Sequence, residues 1–169
     1  GMHFPVRLIY SLIGFPDNSP EKLNQYAAWA LDILNGPQVD PENAKEIQHR
    51  AMEATSQLYE AVIEQVKEVR RNGSERGDLI SRLIAAEYEG GHLDDHEIAT
   101  FVRSLLPAAS ETTSRSFGSL LVLLLERPEL LERVRQDRSL VAKAVDEAIR
   151  YEPVATFKVR QAAKDLQLA

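Results

Sequence analysis

The feature that most constrains this chain is the stretch from Asp94 to Leu125, DDHEIATFVRSLLPAASETTSRSFGSLLVLLL. Ile98, Phe101, Val102, Leu105, Leu106, Ala109, Thr112, Thr113, Phe117, Leu120, Leu121, Leu124 and Leu125 recur at helical intervals and predict one face of one helix. Asp94 or Asp95 is placed to cap its start. About 32 residues at 1.5 Å each make a helix of roughly 48 Å, enough to cross a whole domain. Such a helix is expected to be the central one, with the rest of the chain packed around it.

Its middle is chemically odd. Pro107 has no N–H to give to the carbonyl of Arg103, and its ring pushes that carbonyl away, so a kink or widened turn is expected there. Glu111, Thr112 and Thr113 follow within one to two turns. Two readings stay open. The hydroxyls can bond back to carbonyls of their own helix while Glu111 pairs with Arg115 four residues on. Alternatively, an opened helix with a carboxylate and hydroxyls can hold a water or small polar ligand and pass protons along short hydrogen bonds.

Nearly everything else also reads as helix. RLIYSLIGF is a short apolar segment ended by Gly14 and Pro16. Ser19 and Pro20 make an N-cap and first helical position for a segment closing at Gly36. Asp40 and Pro41 open a helix running to about Arg71, with Ala51, Leu58, Val62 and Val66 at helical spacing. DLISRLIAAEYE is a shorter helix ended by Gly90 and Gly91. RPELLERVRQD and SLVAKAVDEAIRYE follow as helices, Pro153 stops the second, and VATFKVRQ begins like a strand. The expected fold is all-α: a single domain over residues 1–169, a helical bundle around one long central helix, with a short extended C-terminal segment.

Composition excludes several chemistries. The chain contains no cysteine, so disulfides, thiolate catalysis and Cys-ligated metal or haem are outside its own residues. A net charge of -6 without a basic stripe argues against nucleic-acid binding. No apolar run approaches a membrane span, and a cytoplasmic location is expected. Glu46 and His49 form a Glu-x-x-His, half of a di-iron bundle site, but the second candidate, Glu89 to His92, is broken by glycines. His92 and His96 straddle a helix start and read as solvated rather than metal-binding. No metal ligand set is expected.

LLPAASETTSRSF resembles the long central helix of cytochrome P450 monooxygenases, whose pattern is a small residue, Gly, any residue, Asp or Glu, Thr, Thr. Ala108, Ala109, Ser110, Glu111, Thr112 and Thr113 follow it in order, with Ala109 where the family has Gly. Downstream, RPELLERVRQDRSLVAKAVDEAIRYEPV resembles the two helices that end in the family's Glu-x-x-Arg motif, here Glu147 and Arg150. Glu68 with Arg71 and Glu132 with Arg135 share the spacing; the distance after Glu111 and the following RYEPV select Glu147. Upstream, HFPVRLIYSLIGFPDNSPEKLNQYAAWALDIL is similar to a family signature less specifically.

The resemblance implies roles. Glu111 and Thr112 would be catalytic, Thr112 holding bound O₂ and its water by hydrogen bonds and Glu111 relaying protons. Ala108 and Ala109 would let the helix lie against a haem, beside Thr113, and Arg160 would bind a haem propionate. Leu105, Val154 and Ala155 would border the substrate pocket. The full protein would insert one oxygen atom of O₂ into a small organic substrate, using haem and a ferredoxin or flavoprotein redox partner. The resemblance further implies that the chain is an internal part of such a protein. The N-terminal part and the Cys haem-ligand loop are absent, as is a third partner for Glu147 and Arg150. By itself the chain is expected to be inactive, to hold no haem and to self-associate across the exposed haem face of its long helix. A non-catalytic helical interaction or scaffold module is the alternative.

Overall fold

The computed structural model describes residues 3–15, 19–34, 42–73, 77–157, 160–164 and 167. Seven α-helices account for most of them: α1 (His3–Ile13), α2 (Pro20–Leu34), α3 (Ala44–Asn72), α4 (Leu79–Ala85), α5 (Asp95–Leu125), α6 (Pro128–Gln136) and α7 (Val141–Tyr151). A two-stranded hairpin, β1 (Glu87–Tyr88) and β2 (Gly91–His92), separates α4 from α5, and a 3₁₀ turn (Arg138–Leu140) leads into α7. The closing at Gly36 and the start at Asp40 and Pro41 lie outside the described residues. The chain packs as two compact units, Gly1–Ser114 and Arg115–Ala169.

Local chemistry explains most boundaries in the first unit. Pro20 takes the first position of α2, and the Ser19 hydroxyl accepts from the Lys22 N–H at 3.4 Å. α3 buries Ala54, Leu58, Val62, Val66 and Val69, spaced by three or four residues along one face. It ends at Gly73, whose N–H donates to the Val69 carbonyl at 2.8 Å with φ 74°. Asp78 caps α4, accepting from the Ser81 N–H at 2.9 Å and the Ser81 hydroxyl at 2.7 Å. The start of α5 is a reciprocal capping box. The Glu97 N–H donates to Asp94 at 2.8 Å, and the Asp94 N–H donates to Glu97 at 2.9 Å. Asp94, rather than Asp95, is therefore the cap; Asp95 instead receives Arg70 from α3.

Two expectations change. The helix expected to reach Glu89 stops at Ala85, because Glu87 pairs with His92 and Tyr88 with Gly91 in antiparallel register. Glu89 and Gly90 form the two-residue turn, both with positive φ (51° and 79°), the geometry whose twist matches a tight hairpin. The strand expected after Pro153 is not formed over residues 152–157, which run as bends and coil; residues 158–159 lie outside the described residues.

The core of the first unit is contributed by α1, α3, α4 and the N-terminal half of α5, with α2 laid on α3. Val6, Tyr10, Leu58, Val62, Val66, Ile80, Ile98, Val102 and Leu106 are all fully buried. Beside them sits an aromatic group. Tyr10 stacks on Tyr26 with centroids 4.0 Å apart and planes within 9°, and Phe15 meets both rings edge-on at 5.3 and 5.7 Å. The Trp29 indole N–H donates to Gln57 at 2.9 Å, tying α2 to α3. α1 is apolar on both sides: Val6, Tyr10 and Ile13 enter the core, while Phe4, Leu8 and Leu12 point outward at 62, 47 and 63% exposure.

Two consequences can be measured. The Tyr10 hydroxyl is buried with no hydrogen-bond partner among the described residues, and burial pushes its phenol well above the ordinary tyrosine range. Removing an unpaired buried hydroxyl releases its desolvation cost, so Tyr10→Phe is expected to leave stability unchanged or raise it by about 1 kcal/mol in urea unfolding. Because the folded state favours the protonated phenol, the wild type loses stability as pH rises above about 10, and Tyr10→Phe should flatten that loss. Separately, Gly14 ends α1 with φ 125°, and a Cβ there would lie 2.9 Å from Asp78 Cγ, the α4 cap. Gly14→Ala is expected to cost about 1–3 kcal/mol through strain and displacement of that cap. Asp78→Ala should cost about 1 kcal/mol, and the double mutant should cost less than the sum because both act on one contact. Strict additivity would show that the cap is not displaced.

Candidate functional site

The residues singled out on the long helix sit where α5 leaves the core of the first unit. Ile98, Ala99, Val102, Leu106, Pro107 and Ser110 are the buried positions of α5. At 100° per residue, Phe101, Ala108 and Thr112 lie on an adjoining outward side, and Leu105 sits at its edge, packed against the core. Phe101, Ala108 and Thr112 are exposed and Leu105 is half-buried. Glu111, also half-buried, flanks this side. Ala108 and Thr112 thus share an exposed side, with Leu105 at its core edge and Glu111 alongside. Ala109 and Thr113 belong to the core-side flank instead; Ala109 is half-buried and Thr113 is exposed.

Pro107 does not open the helix. Every residue from Asp95 to Leu125 is α-helical, so the expected widened turn is not formed. A series of side-chain back-bonds surrounds it. Ser104 donates to the Thr100 carbonyl at 2.9 Å, Ser110 to Leu106 at 2.7 Å, Thr112 to Ala108 at 2.8 Å and Ser114 to Ser110 at 2.7 Å. Each gives a carbonyl near the proline an extra donor, contributing about 1 kcal/mol. Ser110 is completely buried, and its hydroxyl is satisfied by this bond. Sequence reading had marked the two threonines; it passed over Ser110 and Ser114, whose signal is their i+4 spacing from each other.

The Thr112 bond decides what its hydroxyl offers. With the proton given to Ala108, the oxygen keeps its lone pairs for an outside donor. It can accept from a water or ligand without leaving the helix, and it can donate outward only by releasing that carbonyl.

In the second unit, Glu147 and Arg150 on α7 form a bidentate pair, with Nε and Nη2 each 2.7 Å from a carboxylate oxygen. The guanidinium holds the Glu147 carboxyl below its ordinary range, so the pair survives acidification through that range and is lost only beneath it. Glu132 and Arg135, at the same spacing on α6, lie 3.9 Å apart with a single contact. Geometry therefore separates two motifs that spacing cannot. Past Pro153, Val154 is half-buried, while Ala155 and Arg160 are exposed.

The competing metal constellations do not assemble. Glu46 and His49 are both exposed on α3. His92 Nδ1 lies 3.0 Å from the Ala86 carbonyl, and His96 Nδ1 lies 2.6 Å from the Tyr59 hydroxyl. Among the described residues no group of three or more His, Cys, Asp or Glu could hold a metal ion. No helix among them is long and apolar enough to cross a membrane.

Known proteins share this arrangement. The chain is 30% identical to pulcherriminic acid synthase of Bacillus subtilis over 165 residues, covering 98% of this chain and 39% of that protein. It is 30% identical to the erythromycin C-12 hydroxylase of Saccharopolyspora erythraea, again over 98% of this chain and 40% of the relative. The solved structure of cytochrome P450 CYP109Q5 from Chondromyces apiculatus superposes with a TM-score of 0.74 at 32% identity, covering 97% of this chain and 38% of that one. The chain thus spans about two fifths of the length of the relatives it matches. Residues 21–169 match the model of the family described as Cytochrome P450, and with that match over nearly its whole length the chain belongs to the cytochrome P450 family.

Proposed function

We propose that the two units belong to one partial domain of a haem-thiolate monooxygenase that inserts one oxygen atom of O₂ into a C–H bond of a small organic substrate. In the net reaction the second oxygen leaves as water, taking two protons and two electrons, the electrons coming from a ferredoxin or flavoprotein. The observation that carries this reading is the outward side of α5: Ala108 and Thr112 exposed one turn apart, with Leu105 at the core edge and a carboxylate beside them.

The residues fit one side of a haem. Ala108 is exposed, and no larger side chain stands between it and Thr112 on that side, which suits a flat macrocycle lying against the helix. The 169 residues contain no cysteine, so the axial thiolate has to come from residues other than these. Ala108, Ala109 and Thr113 would contact the macrocycle, and Arg160 would pair with a propionate by its guanidinium fork. When bound, haem supplies the activation of O₂.

The chain's own residues supply the proton path and the pocket wall. Thr112, bonded to the Ala108 carbonyl, keeps lone pairs that fix a water at the reacting end of that side. Glu111, one residue earlier and half-buried, delivers a proton to that water as its carboxyl picks one up from solvent. Leu105 forms apolar wall one turn away, and Val154 and Ala155 border the same substrate space. Glu147 and Arg150 hold α7 rigid through their bidentate pair.

In the intact protein, Glu111→Gln is expected to lower kcat about 100-fold with KM little changed, the size of a lost proton-transfer group. Thr112→Ser should retain most of the rate and Thr112→Val should not. Unchanged turnover in both Glu111→Gln and Thr112→Val would remove the catalytic reading and leave a helical scaffold module. The 169-residue chain alone is expected to self-associate through the exposed side of α5, where Phe101 is 52% exposed. Light scattering across a concentration series should show a rising mass that Ala108→Glu suppresses, whereas a constant monomer mass would overturn this.

A further inference from the structure

The outward side of α5 carries a hydroxyl that the proposed reaction does not use. At 100° per residue, Ser104 falls about 40° around the helix from Ala108 and about 60° from Phe101. It is exposed, as they are. Along the axis it stands about 6 Å before Ala108 and about 12 Å before Thr112. Its hydroxyl donates to the Thr100 carbonyl at 2.9 Å. The proton is therefore committed to the helix, and the oxygen keeps acceptor lone pairs for an outside donor, as at Thr112. Phe101, one turn earlier and 52% exposed, offers an aromatic face on the same side.

Charge is missing from this part of the helix surface. Arg103 is the charged residue between Phe101 and Ala108, and it leaves the outward side: its guanidinium lies over the Tyr59 ring at 6.0 Å. Glu97, one turn before Phe101, accepts from the Asp94 N–H at 2.9 Å in the capping box. A carboxylate or ammonium laid here would lose its hydration and meet no counter-charge from α5. A wholly apolar group would cover the Ser104 oxygen and leave it unpaired, which costs affinity. A neutral group that brings an O–H or N–H to Ser104 and a ring to Phe101 avoids both penalties. A back-bonded serine has no function by itself. Its place in line between an exposed aromatic ring and the Ala108–Thr112 turn is what gives this one a task.

We propose that Ser104 is a specificity-determining residue that accepts a hydrogen bond from a neutral substrate. That substrate carries an aromatic or flat apolar ring, and a hydroxyl or amide N–H about 6–12 Å from the carbon that is oxidised, the axial span from Ser104 to Ala108 and Thr112. The inference rests on the proposed reaction and deepens it: Glu111 and Thr112 act where oxygen arrives, and Ser104 fixes the end of the substrate that lies away from it.

The test uses the intact, haem-loaded protein and three probes on one skeleton: 4-phenylcyclohexanol, 4-phenylcyclohexanone and 4-phenylcyclohexanecarboxylate. The first has a donor, the second an acceptor alone and the third a charge. Equilibrium dialysis gives the Kd of each, and product analysis gives the carbon oxidised. The alcohol is expected to bind about five- to tenfold tighter than the ketone, the size of one hydrogen bond, and the carboxylate weakest of all. Ser104→Ala should weaken the alcohol to the level of the ketone, leave the Kd of the ketone unchanged, raise KM for the alcohol with kcat little altered, and spread oxidation over more carbons. Ser104→Thr, which keeps the hydroxyl, should restore the preference. A serine that only supports the helix would shift all three probes together. The inference is overturned if no probe binds, if the ketone or carboxylate binds as well as the alcohol, if Ser104→Ala leaves the preference intact, or if it moves all three probes alike. The proposed reaction fails on a different result, oxygenation that is unchanged in both Glu111→Gln and Thr112→Val, so the two failures are read from separate variants.

Discussion

The burial of the N-terminal half of α5 against α1, α3 and α4 is the constraint on which the first unit depends. Ile98, Ala99, Val102 and Leu106 enter a core already shared by Val6, Tyr10, Leu58, Val62 and Ile80. A residue such as Leu106 contributes about 2–3 kcal/mol of transfer free energy on full burial. That packing fixes the rotation of the helix about its axis. Once Ile98, Val102 and Leu106 face inward, Phe101 and Ala108 have to face away, and Leu105 stays at the edge of the core.

The same helix carries a proline at the point where the core ends, and remains helical. Four hydroxyls within three turns of Pro107 donate to carbonyls four residues back. Mid-helix serine and threonine are weak helix formers because they compete for backbone groups. Here that competition is directed at the helix's own carbonyls, next to the one whose donor the proline removed. The arrangement also presets the chemistry of Thr112. A hydroxyl that spends its proton on the helix is an acceptor toward anything outside, which suits holding a water.

Family membership and site chemistry rest on different grounds. Membership follows from the family match over residues 21–169, beside a solved relative that covers 97% of the chain at a TM-score of 0.74. The roles proposed for Glu111 and Thr112 rest on their position in α5 and, for Thr112, on its bond to the Ala108 carbonyl. The bidentate geometry of Glu147 and Arg150, against the single 3.9 Å contact of Glu132 and Arg135, shows why a four-residue motif needs its structural setting. On a helix, i,i+3 charge pairs are common; two parallel hydrogen bonds from a guanidinium fork are a narrower condition.

By itself the sequence determined the helical class, the length of α5, the cap at Ser19, the start of α5 at Asp94 or Asp95 and the stop at Pro153. These follow from local rules: apolar spacing, side chains that accept from free N–H groups, and the missing proline N–H. Four things were decided only by tertiary structure. The end of α4 at Ala85 was one, because Glu89 takes a positive φ that its residue type does not announce and the hairpin supplies the pairing that makes it worthwhile. The unbroken helix through Pro107 was another, since residue type alone predicts a break or kink there. The fate of the apolar pattern beyond Phe117 was the third. Spacing marks Leu121 and Leu125 as core positions, yet both are exposed, because burial requires a surface to pack against as well as an apolar side chain. The fourth was the bidentate geometry of Glu147 with Arg150, a pair that sequence context selects but whose two parallel bonds only side-chain placement provides.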